Sequence, residues 1–252
     1  SLNLINSINN SCRLIYAEND EFPGLIVDQY SGVLVVQILS AGPEYWKKEI
    51  IQNLQKITNV KTIIERSDVE VRRLEGLESK KEILVGEVSQ NPIEIRENGY
   101  QFRVDIINGQ KTGFYLDQRE NRKTVQKYSK DRDVLNCFSY TGGFTVYTLG
   151  GGAKSVTSID SSAEAIAQAE INVDNNQFIE KNNTWIEGDV FKELRLFRDK
   201  GKSFDMIILD PPKFAPTAAQ VRSASRGYKD INLLAFKLLN PGGMLITFSC
   251  SG

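Results

Sequence analysis

The chain contains no histidine, and that absence removes whole classes of chemistry. A Ser-His-Asp triad, a histidine-ligated metal and an imidazole acid or base are all out of reach. Any reaction must run on carboxylates, lysine, tyrosine, cysteine or a bound cofactor. Cysteine is scarce as well. Cys12, Cys137 and Cys250 are widely spaced, which is neither a disulfide framework nor a zinc cluster and fits a reducing cytoplasm. Long apolar runs are missing too: stretches such as Val33-Leu34-Val35-Val36 are strand-sized, so no bilayer span is expected. No charged-then-apolar leader opens the chain. The expectation is a cytoplasmic protein without a metal.

What is present is ordinary in bulk and uneven in detail. The 252 residues are 40% hydrophobic and 25% charged, enough for one large domain or two modest ones. A net charge of −1 argues against a nucleic-acid binder until its distribution is examined. Lys111 to Arg132 holds seven bases and three acids, a local +4. Lys213 to Lys229 holds Lys213, Arg222, Arg226 and Lys229 with no acid, again +4. Either stretch alone reads as a solvated helix face; the remainder of the chain is correspondingly acidic, and local basic patches are what phosphate binding needs.

The texture changes near the middle. Residues 1–116 read as a small α+β domain. A hairpin is expected from Leu25-Ile26-Val27 and Val33–Leu39, and a helix from Pro43 to Ile57 with Trp46, Ile50, Ile51 and Leu54 at helical spacing. Strands follow at Thr62–Glu65 and Ile83–Val88, then a second hairpin around Asn98-Gly99. Residues 117–132 read as a linking helix. From Asp133 strand and helix patterns alternate, which predicts a parallel sheet with crossover helices over 133–252. Strands are expected at Val134–Phe138, Val156–Ile159, Thr184–Ile186, Phe204–Leu209 and Met244–Phe248. Helices fit around Phe144–Leu149, Ser162–Asn175, Phe191–Arg198 and Gly227–Leu239.

The residues at the carboxyl ends of these strands carry the chemistry. Strand one ends in Asn136-Cys137-Phe138-Ser139-Tyr140-Thr141-Gly142-Gly143, a small-residue turn that lets a ligand approach the backbone. It lacks the G-x-G-x-x-G pattern that a pyrophosphate wants, and a looser turn suits an adenosyl group without phosphate. Strand two ends at Asp160, placed to accept from ribose hydroxyls or else to cap the next helix. Strand three is followed by Asp189-Val190, where Asp189 can accept from an adenine amino group and Val190 can pack on its ring. An ordinary loop acid is the alternative at each place; three acids and turns at the ends of successive strands favour an adenosine site. Strand four ends in Asp210-Pro211-Pro212-Lys213-Phe214. Two prolines stiffen that exit and remove two amide donors, which aims Asp210 and Lys213 into the crevice. Strand five runs to Ser249-Cys250-Ser251. Cys250 is either a small buried hydrophobe or a thiol activated by a cationic neighbour. Cys137 and Cys12 read as packing residues.

The run Asn108-Gly-Gln-Lys-Thr-Gly-Phe-Tyr-Leu-Asp-Gln-Arg-Glu-Asn-Arg122, with Asp210–Phe214 and Ser249-Cys-Ser251, resembles the bacterial 23S rRNA cytosine-C5 methyltransferase family. Pro23–Asp28, Glu65-Arg66-Ser67-Asp68 and Glu75-Gly76-Leu77 match it too, so the likeness runs along essentially the whole chain. It implies a class I methyltransferase domain, a Rossmann-like α/β sheet, behind a small α+β domain that helps to hold RNA. The cofactor would be S-adenosylmethionine. Asp117, Gln118, Arg119 and Asn121 would lie near its methionine end; Asn136, Tyr140, Thr141, Gly142, Asp160 and Asp189 would hold the rest. Asp210 would face cofactor and base, with Cys250 as nucleophile and Lys213 beside it. Lys111, Arg122, Lys123, Arg222, Arg226 and Lys229 would meet RNA, either 23S rRNA or an assembly intermediate. A homodimer stays open.

Relatives open with a further small RNA-binding domain and close with two more strands, so a C-terminally truncated sheet is expected here. Three rivals remain. Methylation of a guanine ring nitrogen or an exocyclic amine needs no thiol, and Asp-Pro-Pro-aromatic turns suit it. A catalytically silent RNA-binding protein is the second. A nicotinamide dehydrogenase is the third, disfavoured by the missing phosphate-binding glycines.

Overall fold

The structure, a computed structural model, describes residues 4–178, 182–214 and 220–249. The chain forms two compact units, Ser1–Arg119 and Glu120–Gly252.

In the first unit β1 (Ser11–Tyr16), β2 (Leu25–Tyr30) and β3 (Val33–Ile38) run antiparallel. Tyr30 pairs with Val33, which leaves Ser31-Gly32 as a two-residue turn. After β3 come α1 (Ala41–Tyr45) and α2 (Lys47–Thr58). The single helix expected over Pro43–Ile57 is thus two, joined at Trp46; α1 is tethered separately, Glu44 pairing with Arg72 at 3.0 Å and with Lys80. The chain then enters β4 (Thr62–Ser67), parallel to β3, so α2 is a crossover helix. Its Ile51 and Leu54 close over Val27, Leu34, Val36 and Ile63. A short α3 (Val71–Leu74) leads to β5 (Lys80–Val85), antiparallel to β4. The sheet order is β1-β2-β3-β4-β5. A separate hairpin, β6 (Ile93–Glu97) and β7 (Tyr100–Val104), turns at Asn98 and Gly99, both with positive φ, as a tight hairpin turn requires. Strand β1 was not expected from sequence: its six residues carry Arg13, which pairs with Asp28 of β2 rather than facing water.

A 3-10 turn (Leu116–Gln118) feeds α4 (Arg119–Tyr128). The second unit alternates β8 (Asp133–Cys137), α5 (Gly143–Gly150), β9 (Ser155–Asp160), α6 (Ala163–Asn175), β10 (Asn183–Glu187), α7 (Val190–Asp199), β11 (Phe204–Leu209), α8 (Val221–Leu238) and β12 (Leu239–Thr247). All five strands are parallel, in the order β10-β9-β8-β11-β12. The doubly wound α/β sheet expected from the strand–helix alternation is therefore present. Its central strands β8 and β11 are buried on both faces: Leu135, Cys137, Ile207 and Leu209 on one and Val134, Asn136, Met206 and Ile208 on the other have no exposed surface. Helix α8 starts six residues earlier than the expected Gly227. That glycine is interior to the helix, where Phe214 would touch any added Cβ at 3.4 Å. Among the described residues no helix is long and apolar enough to cross a membrane.

The chain order reverses between β8 and β11. Loops leaving these two neighbours depart to opposite sides, which opens a crevice at the carboxyl edge. The turn after β8 passes close to α6: at Gly142, φ is +78° and an added Cβ would lie 2.8 Å from Cβ of Ala169. Gly142→Ala is expected to destabilise the protein by roughly 2–4 kcal/mol, combining left-handed strain with overpacking. Gly99→Ala, with φ +86° but open space around it, should cost only about 1–2 kcal/mol. Urea denaturation of the two variants checks the difference; equal losses would mean that the Ala169 contact is immaterial.

Candidate active site

The β8–α5 turn holds three residues with positive φ in five positions: Phe138 at 60°, Tyr140 at 46° and Gly142 at 78°. Left-handed backbone at phenylalanine and tyrosine costs about 1–2 kcal/mol each, so the turn must be held from outside. Asp160, at the end of β9, does much of this. Its Oδ2 accepts from the amide of Tyr140 at 2.7 Å and its Oδ1 from the amide of Ser162 at 3.0 Å. The amide of Ser139 donates to the Ile159 carbonyl at 3.0 Å, and Nδ2 of the buried Asn172 donates to the carbonyl of Thr141 at 2.9 Å. The helix cap itself belongs to Ser162, whose Oγ accepts from the Ala165 amide.

Asp189 is exposed and caps α7, Oδ1 accepting from the Lys192 amide at 2.9 Å. The cap uses one carboxylate oxygen and leaves the other. Two of the expectations for this crevice fall on buried side chains. Val190 is buried in the core beside Leu194 and Phe197, so it packs on protein rather than on an adenine ring. Asn136 has no exposed surface, and its Oδ1 has no partner among the described residues. Its Nδ2 donates to Thr145 Oγ1 at 3.0 Å, within a buried chain that continues to Ser158 at 2.8 Å. Gly142 is likewise buried, and its contribution is conformational.

Beside this turn, β11 exits through Asp210. The Asp210 amide lies 3.4 Å from the Cys137 carbonyl, and the acid is half-buried. Pro211 is buried, Pro212 and Lys213 are exposed, and Phe214 anchors the far end. The Phe214 ring lies 4.6 Å from Tyr228, 5.7 Å from Phe191 and 6.3 Å from Phe138, centroid to centroid. The proline pair is thus a stiff span between a sheet edge and an aromatic cluster. Strand β12 pairs in register with β11, Thr247 opposite Leu209, and Phe248 stacks on Phe144 at 5.3 Å. Cys250 lies outside the described residues. The other two thiols are buried: desolvation raises the pKa of Cys12, and burial alone pushes Cys137 far above the ordinary range.

In the first unit Asp117 is exposed and 3.7 Å from Lys111 Nζ, which also lies 4.3 Å over the Tyr115 ring. Gln118 is half-buried in the 3-10 turn. Arg119 is occupied within its own unit, 3.4 Å from Glu97 and donating to the Ser11 carbonyl. Asn121 and Lys123 are exposed on α4. Arg122 is 2% exposed, which removes it from the surface cations that could meet phosphate. Arg222, Arg226 and Lys229 are exposed at steps of four and three along α8 and so share one face.

The crevice fits an adenosyl cofactor. Asp160 keeps two acceptor positions after binding its two amides, enough for a ribose diol. Ser139 Oγ is buried in the turn without a partner among the described residues, a group that a bound ligand would satisfy. Ser139 and Asn172 were not singled out from sequence. A serine in a turn and an asparagine within a helix gave no local sign of their use.

Comparison with known proteins agrees. A family model described as S-adenosylmethionine-dependent methyltransferase matches residues 17–251. A protein from Aeromonas salmonicida named ribosomal RNA large subunit methyltransferase I is 53% identical over 240 residues, 95% of this chain and 61% of the relative. The chain thus spans about 61% of the length of the curated relatives it matches. Among solved structures, a methyltransferase complexed with S-adenosylhomocysteine superposes with a TM-score of 0.84 at 26% identity, covering 96% of this chain and 62% of the other. A tRNA m1G37 methyltransferase from M. jannaschii shares the fold, with a TM-score of 0.62 at 23% identity over 89% of this chain and 62% of its own. With the parallel five-stranded sheet and a family match from residue 17 to 251, this chain belongs to the S-adenosylmethionine-dependent methyltransferases, and S-adenosylmethionine is its cofactor.

Proposed function

We propose that the protein methylates carbon 5 of a cytosine in large-subunit ribosomal RNA through a covalent adduct with Cys250. The relatives' name supports the RNA class. The observation that carries the finer reading is the parallel register of β11 and β12, with Leu209 opposite Thr247. The chain segments leading to Asp210–Lys213 and to Cys250 therefore leave neighbouring strands at the same edge of the sheet.

Tyr140, Thr141, Asp160 and Asp189 hold the adenosine part of the cofactor. The bound cofactor supplies an electrophilic methyl group. Carbon 5 of cytosine is a weak nucleophile. A Cys250 thiolate adding to carbon 6 converts the ring to an enamine that can attack that methyl. Asp210 holds a proton at N3 of the base as the adduct forms. Loss of the C5 proton then expels the thiolate and restores the ring. Lys213, exposed at the end of the proline span, helps to eliminate the thiol, positions the base or contacts phosphate. Arg222, Arg226 and Lys229 on α8, with Lys111 and Lys123, meet the RNA backbone, and the α+β unit helps to position the RNA.

Incubating the protein with 23S rRNA and labelled S-adenosylmethionine, then separating nucleosides by mass, tests the reaction. Label in 5-methylcytidine that disappears in Cys250→Ala is expected; label in a methylguanosine, indifferent to the mutation, would sink the carbon-5 mechanism. Iodoacetamide at pH 8 should modify Cys250 of the native protein while sparing Cys12 and Cys137, whose raised pKa values leave them protonated there. Peptide mass mapping reads this directly. Replacing Arg222, Arg226 and Lys229 together by alanine should lower the salt slope of RNA binding by about 0.7–0.9 for each phosphate no longer neutralised. Affinity for S-adenosylhomocysteine should not change. An unchanged salt slope would move the RNA path off α8.

A further inference from the structure

The first unit carries an apolar groove that neither the fold nor the proposed chemistry uses. Its floor is made by Ile15 of β1, Leu25 of β2 and Leu54 of α2. One wall is Trp46, which opens α2, and the helix face that continues through Ile50, Asn53 and Ile57 at steps of three and four. The other wall is the Glu21-Phe22-Pro23 loop between β1 and β2. The space between them is about 530 Å³. More than half of each of Phe22, Trp46 and Ile57 is exposed, so the groove opens to solvent along its length.

Both walls are held by the unit itself. The Phe22 amide donates to the Ala17 carbonyl at 3.0 Å and the Leu25 amide to the Phe22 carbonyl at 3.0 Å. Ser40 Oγ donates to the Pro23 carbonyl at 3.3 Å. At the head of α2 the Tyr45 and Trp46 rings meet edge to face at 5.1 Å, and Glu44 ties α1 to Arg72 and Lys80. A groove with fixed walls loses little to ordering when it is filled. Large apolar side chains gathered round one open depression mark a protein-binding surface, and tryptophan is among the residues that dominate such binding.

Charge and shape select the occupant. Glu21 and Glu49 line the groove, Glu18 and Asp20 stand just before Glu21, and among the described residues no lysine or arginine lines it. These carboxylates repel an RNA backbone and attract a basic chain. An open groove also suits a small molecule poorly, because a ligand pocket encloses about 70–90% of its ligand. From Trp46 to Ile57 the α2 face runs roughly 17 Å, the length of about three helical turns.

We propose that this groove docks a basic amphipathic helix of a protein partner. Apolar side chains of that helix, at steps of three and four, sit between Phe22, Trp46 and Ile57, and its lysines or arginines lie beside Glu21 and Glu49. The site lies wholly within the first unit and is independent of the chemistry assigned to Cys250.

The test is an anisotropy titration of the full chain against a fluorescein-labelled helical peptide of about three turns, with leucines on one face and lysines flanking them. A control peptide carries glutamates in place of the lysines. Wild type should bind the lysine peptide about tenfold or more tightly than the control. Ile57→Ser and Trp46→Ala should each weaken it about tenfold, the loss expected of an interface anchor. The double variant Glu21→Lys, Glu49→Lys should reverse the preference between the two peptides. Circular dichroism checks each fold; if Trp46→Ala, at the α1–α2 junction, unfolds, Ile57→Ser decides. No saturable binding, unchanged affinity in Ile57→Ser or an unreversed preference would overturn the proposal. So would a uridine oligonucleotide that binds wild type and is lost in Ile57→Ser, which would make the groove a base-stacking surface. A dimer in sedimentation velocity that Ile57→Ser dissociates would overturn it too, by making the occupant a second copy of this chain.

Discussion

Much of the second unit depends on one hydrogen-bonded acid, Asp160. The turn after β8 places phenylalanine and tyrosine in left-handed backbone, a conformation that neither residue adopts without support. Asp160 accepts from the Tyr140 amide within that turn and from the Ser162 amide at the start of α6, so one carboxylate joins the turn, the end of β9 and the next helix. Gly142 completes the arrangement by allowing α6 to approach where no side chain fits. The turn is therefore held by the protein's own hydrogen bonds and packing, which limits the ordering that binding would cost.

The two units use polar groups differently. In the second, polar side chains cluster at the carboxyl edge of a sheet whose interior is apolar, with Asn136, Thr145 and Ser158 as a small buried exception. In the first, ion pairs penetrate the interior. Glu65 is fully buried against Lys47, and Arg72 is enclosed between Glu44 and the carbonyls of Ile38 and Glu78. Such pairs do little for net stability but strongly disfavour alternatives that leave one partner alone. A domain stabilised this way resists register slips, and it can hold loops in conformations that apolar packing would not specify.

The sheet of the second unit was legible because its cause is local. Alternating apolar runs and helical periodicity sufficed for all five strands and four crossover helices, with errors where a glycine was ambiguous: Gly227 reads as a helix start in sequence and lies inside α8. Strand β1 was not legible, because its charged Arg13 is neutralised by Asp28, fifteen residues away in sequence. The acids at the strand ends could be named but not assigned. Asp189 and a generic helix cap look the same in sequence, and only the Lys192 amide shows that one oxygen is taken. Asn136 and Arg122, both expected to meet a ligand, are buried.

Composition and motif narrowed the class of chemistry. The absence of histidine excluded triads, metal sites and acid–base steps that need an imidazole, the strand-end residues favoured an adenosine site, and the family resemblance implied the cofactor. Those conclusions follow from residue types and short-range order, which a chain carries whether folded or not. Tertiary structure alone decided which polar groups are spent on the protein itself. Asp160 accepting from Tyr140, Asp28 gathering Arg13 and Thr112, and Arg66 holding two distant carbonyls are all long-range pairings. A hydrogen bond is directional and short, so its existence depends on positions that only the completed fold defines.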